Sequence, residues 1–278
     1  MNNNLYECVN YRSDLKFIHS RFIREYDIRK ANISILYKYG VIDLNTYNNL
    51  FKSSREKRQI EIGLMEKQNP KIYDILAKGI VQAKKDLFLS NHIQDSSVLS
   101  IKNDAVFILD EKLKYTTFDS GLIEFVNKNT YTSFVSLNKI ELYYGFNKVD
   151  NTEIVDVKGI GKNLYLHRNY MVDFIVYILN CIESGEISDA LSSFTDFYKD
   201  YIELNLSIGY YREFNSASLY KLKGIDYTVS HLEENTNKNC LDISYNLYIL
   251  RELYSYISYI YFQSNKWLYI IIVTSREY

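Results

Sequence analysis

Proline is nearly absent from this chain: Pro70 is the only one in 278 residues. Three cysteines, Cys8, Cys181 and Cys240, lie far apart and none forms a CxxC pair. An odd number without framework spacing excludes a disulfide scaffold and predicts reduced thiols. The four histidines, His19, His92, His167 and His231, show neither HxxxH nor HExxH spacing, so they are expected to be surface or capping groups rather than metal ligands. No GxSxG elbow and no Walker or Rossmann glycine pattern occurs. Net charge is small, −1, which excludes a uniformly basic nucleic-acid binder but allows a local basic channel. The most apolar tail, Trp267 to Val273, is far short of the ~20 residues needed to span a bilayer. It is expected to be a buried strand or a docking segment, and no membrane partner is expected. The polar, Asn-rich N-terminus carries no signal-peptide pattern, so the cytoplasm is the expected location, that of a host if the chain is viral.

What the chain does have is apolar content: 47% of residues are hydrophobic, enough for one large core or two modest ones. Abundant Tyr, Asn, Ile and Lys suggest an AT-rich coding source, a virus or a low-GC bacterium. The apolar run from Phe22 to Leu36 predicts a strand covered on both faces. Helical spacing follows over 45–65. Pro70 fits the first turn of a helix over 70–91, along which Ile72, Leu76, Ile80, Ala83 and Leu87 form one apolar face. A second buried strand is predicted over 98–109, then shorter strands over 123–126, 131–137, 139–144 and 153–159. From Leu166 helices dominate, over 168–183, 188–204 with Ser188 as N-cap, and 241–262. The expected fold class is α+β. A palm-like antiparallel sheet with a short fingers-like helical segment occupies 1–160, and a mainly helical, thumb-like region occupies 161–278.

Two segments carry chemistry. Glu25 to Leu36 and Val98 to Leu109 each set one carboxylate, Asp27 or Asp104, in a run that reads as a buried strand. Charged groups are rarely buried unless they are paired or bind a metal. Side by side, two such strands would aim both carboxylates at one point, as a divalent-metal phosphoryl-transfer site requires. Taken singly, each Asp is equally well a solvated or turn-capping residue. Between them, Lys52 to Lys85 holds nine Lys or Arg against four Asp or Glu, with Arg55, Lys57 and Arg58 tightly grouped. A solvated helix face explains those charges as well as phosphate binding does. Tyr210 to Phe214 and the Tyr-rich stretch 245–261 could stack on bases, although core packing accounts for such aromatics better.

Over roughly residues 22 to 185, the order of segments resembles the palm and thumb of family B DNA polymerases. That family's first palm strand carries an Asp, an aromatic or aliphatic residue, and then Ser-Leu-Tyr-Pro-Ser-Ile. Here Asp27-Ile28-Arg29-Lys30-Ala31-Asn32-Ile33-Ser34-Ile35 keeps the Asp, the Ser and the Ile at matching offsets. The second palm strand of the family, Tyr-Gly-Asp-Thr-Asp-Ser-x-Phe, is similar to Ser100 to Phe107, which keeps Asp104 and has Lys102 in place of the first Asp. Lys139-Ile-Glu-Leu-Tyr143-Tyr-Gly145 looks like the primer-contacting segment, and Val157-Lys158-Gly159 like the lead into the thumb.

The resemblance implies a metal-dependent, template-directed nucleotidyltransferase, either a minimal or a split polymerase. Asp27 and Asp104 would be catalytic and hold two Mg²⁺ ions. Arg55, Lys57, Arg58 and Asn32 would face the nucleotide, while Lys139, Tyr143 and Lys158 would touch the primer–template. A protein partner would supply the missing fingers motif and N-terminal domains, since the chain begins just before the palm. Lys102 could pair with the two carboxylates and displace a metal. That favours the alternative of an inactive palm-like protein binding nucleic acid or a replication partner. A virion structural or assembly protein is the third expectation.

Overall fold

The computed structural model describes residue 6 and residues 14–137, 140–147, 152–159, 167–211, 219–222, 225–228 and 246–274. The fold is α+β, and it divides into two compact units. The first comprises 1–15 and 21–130; the second comprises 16–20 and 131–278. The change from strands to helices near residue 160 is a change of secondary structure inside the second unit. Packing divides the chain earlier, at Thr130, because the strands after it build their core with the C-terminal helices.

In the first unit, β2 (Ile23–Ile28) leads through Lys30 into α1 (Ala31–Lys38). The expected single strand over 22–36 is therefore a strand, a turn and a helix. Lys30 takes a left-handed conformation, φ 52°, and the chain leaves the sheet there. The run misleads because Ile33, Ile35 and Leu36 are all buried in a helix, and a continuous apolar run does not distinguish the two periods. Gly40, at φ 69°, follows the C-terminus of α1, where a left-handed residue is favoured.

Helices α2 (Leu44–Lys52) and α3 (Arg55–Gln68) are separate, each with its own cap. Asp43 accepts from Thr46 N at 2.7 Å and Ser54 from Lys57 N at 3.2 Å. The long α4 (Lys71–Ser90) begins directly after Pro70, and Ile72, Leu76, Ala83 and Leu87 are buried along it as expected.

The second expected strand, 98–109, is a hairpin of β3 (Val98–Lys102) and β4 (Ala105–Leu109). Lys102 pairs with Ala105, so Asn103 and Asp104 are the two turn residues, with Asn103 at φ 48°. Asn and Asp suit such turns because both tolerate unusual backbone angles. With β5 (Thr117–Phe118) and β6 (Ile123–Tyr131) these strands form a five-stranded sheet ordered β3-β4-β2-β6-β5. One face carries Tyr26, Ile28, Val106 and Ile108 into a core shared with α1 and α4.

The second unit pairs β1 (Phe17–Ile18), β7 (Ser133–Leu137), β8 (Ile140–Asn147) and β9 (Thr152–Lys158) in the order β1-β7-β8-β9, every pair antiparallel. Its core joins Val135, Leu142 and Tyr144 to α5 (Met171–Glu183), α6 (Ile187–Ile202) and α7 (Leu247–Thr274). Ser188 lies inside α6; the cap position is Glu186, so the expected Ser188 cap is corrected. Trp267 to Val273 is neither strand nor separate segment but the last part of α7. A short hairpin, β10 (Leu219–Leu222) with β11 (Ile225–Thr228), stands as its own sheet. Among the described residues, no helix is long and apolar enough to cross a membrane.

Helices α1 and α4 approach closely at Gly79. A Cβ built there would lie 2.3 Å from Ile35 Cγ2, and Ile35 is wholly buried and cannot retreat. Gly79→Ala is expected to lower unfolding free energy by about 1–3 kcal/mol through overpacking, despite the better helix propensity of alanine. Urea unfolding checks this, and an unchanged midpoint would contradict the contact.

Candidate functional site

The site grows from strand alternation. Glu25 and Asp27 are two residues apart on β2 and share the face opposite Tyr26 and Ile28. Asp27 pairs with Ala105, so the hairpin turn brings Asp104 alongside it. Ile28 N donates to the Asp104 carbonyl at 3.3 Å and fixes that approach. Backbone pairing and the negative charge of Asp104 acting on Asp27 make the two carboxylates neighbours. Asp104 sits at a hairpin tip rather than within a strand.

Strand β6 completes the cluster. Arg29 N donates to Glu124 O at 2.8 Å, which sets Lys128 and Asn129 beside Glu25. Glu25 is only 1% exposed, and Asn129 Nδ2 donates to its Oε2 at 2.8 Å. Lys128 Nζ stands 3.7 Å from Glu25 Oε1 and 3.8 Å from Asp27 Oδ2. The ammonium facing Asp27 is thus that of Lys128, whereas the sequence points to Lys102. Asp27 Oδ1 is buried and receives no hydrogen bond. Burial, then the negative charge of Asp104, push the Asp27 carboxyl up to about 6; Lys128 opposes them and Glu25 adds to them.

A basic and aromatic group follows directly in sequence. Lys30 Nζ donates to Phe51 O and lies 3.5 Å from the centroid of the Phe51 ring. Arg29 stands 5.7 Å from that same ring. Partial desolvation and the charges of Arg58 and Arg29 lower the Lys30 ammonium below its usual range. Of the expected nucleotide-facing cations, Arg58 acts on Lys30 through its charge, and its guanidinium donates to Ser53 O. Lys57 lies in the first turn of α3 with its backbone N–H bonded to Ser54, and Arg55 opens the same helix. Asn32 is exposed on α1.

The residues expected at a primer fare differently. Tyr143 is fully buried in the second unit, packed against Tyr131 and Phe134, and its hydroxyl donates to Glu141 at 2.7 Å. It offers no ring face to a nucleic acid, so that expectation is corrected; the aromatic is core. Lys158 is ion-paired with Asp156 at 2.5 Å. Lys139 lies outside the described residues, as do Cys8, Cys240 and His231.

Other titratable groups serve structure. His167 is buried rather than on the surface, and its carbonyl accepts from Tyr170 N and Val172 N at the start of α5. Glu183 is pushed up by burial, but hydrogen bonds from His19 and Ser133 hold it below the usual carboxylate range. Among the described residues, no three or more His, Cys, Asp or Glu side chains form a ready-made metal cage. In the α6–α7 region, Phe194, Tyr198, Arg251 and Tyr254 line an apolar cavity of about 470 Å³. It holds no carboxylate.

Sequence reasoning missed Glu25, Lys128 and Asn129. Glu25 was visible as a second acid at period two from Asp27, but nothing local ties it to a strand that begins a hundred residues later.

The chain is therefore an α+β protein with one carboxylate on a sheet strand and a second at the turn of the neighbouring hairpin. Residues 1–259 match the family described as bacteriophage PBS1 gene 130 protein, and the chain belongs to that family. A phage family agrees with one of the two sources that composition suggested, a virus rather than a low-GC bacterium. No curated protein matches the chain.

The raised Asp27 carboxyl has a signed consequence. Folded protein keeps this proton at pH values where the unfolded chain, at the ordinary 3.8, has lost it. Stability contributed by Asp27 is thus present at low pH and lost as pH rises from about 4 to about 6. Relative to Asp27→Asn, wild-type melting temperature is expected to fall across that window by about 2–5 °C, reduced by partial exposure. Parallel pH profiles for the two proteins would refute the assignment.

Proposed function

We propose that the Asp27–Asp104 pair is a divalent-cation site for phosphoryl transfer, and that the protein is a template-directed nucleotidyltransferase of reduced size acting on a primer–template. The observation carrying this reading is the buried, donor-less Oδ1 of Asp27 beside a second carboxylate. An acceptor placed among like charges calls for a proton or a cation. Mg²⁺ fits such a place, because it is held through one or two carboxylates while substrate phosphates and water complete the shell. When bound, it supplies charge neutralisation and orientation of the oxygens in an in-line displacement.

The chain's own residues would do the rest. Asp27 and Asp104 hold the charge centre near the end of β2 and at the turn of its neighbouring hairpin, on backbone tied by the Ile28–Asp104 hydrogen bond. Lys30, Arg29 and Arg58 gather positive charge immediately after Asp27, where outgoing phosphates need it. Asn32, exposed one residue into α1, is the side chain on offer to the nucleotide sugar. A partner chain would provide a fingers motif.

The second reading, a palm-like protein that grips nucleic acid or a replication partner without chemistry, draws on Lys128. Its ammonium already partly neutralises Glu25 and Asp27. Primer extension with Mg²⁺ separates the two readings. Asp104→Asn is expected to lower nucleotide incorporation at least 100-fold while leaving circular dichroism unchanged. Equal incorporation by wild type and variant, or none by either in the presence of DNA binding, overturns the catalytic proposal.

A further inference from the structure

Lys128 holds an unusual place in the first unit's acidic cluster. Its ammonium is shared between Glu25 Oε1 and Asp27 Oδ2 at 3.7 and 3.8 Å, both beyond the ~3.2 Å limit of a good N–H···O hydrogen bond. The side chain is 52% exposed, so its stem is free to swing toward water. Glu25 has a nearer partner in Asn129, at 2.8 Å on the other oxygen. Asp27 Oδ1 has no donor at all. The cluster is thus partly compensated by a monovalent cation that none of its oxygens grips closely.

A loose, half-exposed ion pair contributes little energy, and a divalent ion with direct oxygen contacts outcompetes it. Both cannot sit against the Asp27 carboxylate without strong repulsion. We propose that Lys128 is a built-in counter-ion that a divalent cation displaces, so that this one residue sets the cation affinity of the Asp27–Asp104 site. The inference rests on the cation-binding reading of that site. Lys128 holds the acids together when no ion is bound and keeps the resting affinity low. When an ion enters, its released ammonium becomes available to an anionic substrate at the same acidic cluster.

Mn²⁺ titration by calorimetry on wild type, Lys128→Met, Lys128→Gln, Lys128→Arg and Asp104→Asn tests this, with circular dichroism to check folding. Both neutral variants are expected to bind Mn²⁺ about fivefold more tightly than wild type at low ionic strength, with Lys128→Arg close to wild type. Without added metal, the neutral variants should also melt at lower temperature and gain more from Mn²⁺. Affinity unchanged or weakened in Lys128→Met and Lys128→Gln overturns the counter-ion role while leaving the cation site standing. Mn²⁺ binding absent from wild type and every variant, or undiminished in Asp104→Asn, overturns the cation site and this inference with it.

Discussion

A carboxylate buried inside a β-sheet must be compensated, and in this protein Glu25 imposes that demand. At 1% exposure it cannot rely on water, and an isolated charge there would cost several kcal/mol. Asn129 and Lys128 answer it from β6. That answer requires β6 to lie next to β2 in a register that sets 128–129 against 25. The same register places Arg29 at Glu124, where a backbone hydrogen bond and a salt bridge of 3.0 Å close the strand's end. One buried acid thus ties the order of the central strands to the geometry around Asp27.

Asp27 is left under-compensated by the same arrangement. Its neighbour across the sheet is the tip of a hairpin that carries Asp104, and its helpful cation is shared with Glu25. Backbone constraints hold it there: the turn at Asn103, the Ile28–Asp104 hydrogen bond, and the exit of the chain at Lys30. Behind the sheet, α1 and α4 pack at glycine distance, so the strand that carries the acids rests on a rigid layer. Sites whose polar groups are unmet while their scaffold is stiff are where ligand chemistry is expected.

The second unit shows the opposite economy. Tyr131, Tyr143, Tyr144, Tyr201, Tyr211 and Tyr256 are wholly buried, and several hydroxyls find partners, such as Tyr144 with Asn180 and Tyr211 with Tyr201 O. These six tyrosines build the core there, while Tyr177, Tyr254 and Tyr259 are exposed. Large rings with one polar tip fill space between a sheet and three helices and still bond at their ends. Burial also raises the Tyr144 hydroxyl to about 12, which keeps it neutral as a donor.

The sequence by itself determined the α+β class, the α4 helix with its Pro70 start and apolar stripe, and the strands after residue 123, and it singled out Asp27 and Asp104 as acids set in apolar runs. Those follow from local signals, namely periodicity, caps and a charge set in an apolar run. It misled over 22–36 and 98–109, where unbroken apolar runs hide a helix and a hairpin, although Asn103–Asp104 was a readable turn. Only the tertiary structure decided that Lys128 and Asn129 meet Glu25, that Tyr143 is core, and that Arg58 rather than the whole basic group acts on Lys30 through its charge. Those contacts depend on strand order and register, which long-range pairing sets and no short stretch of sequence encodes.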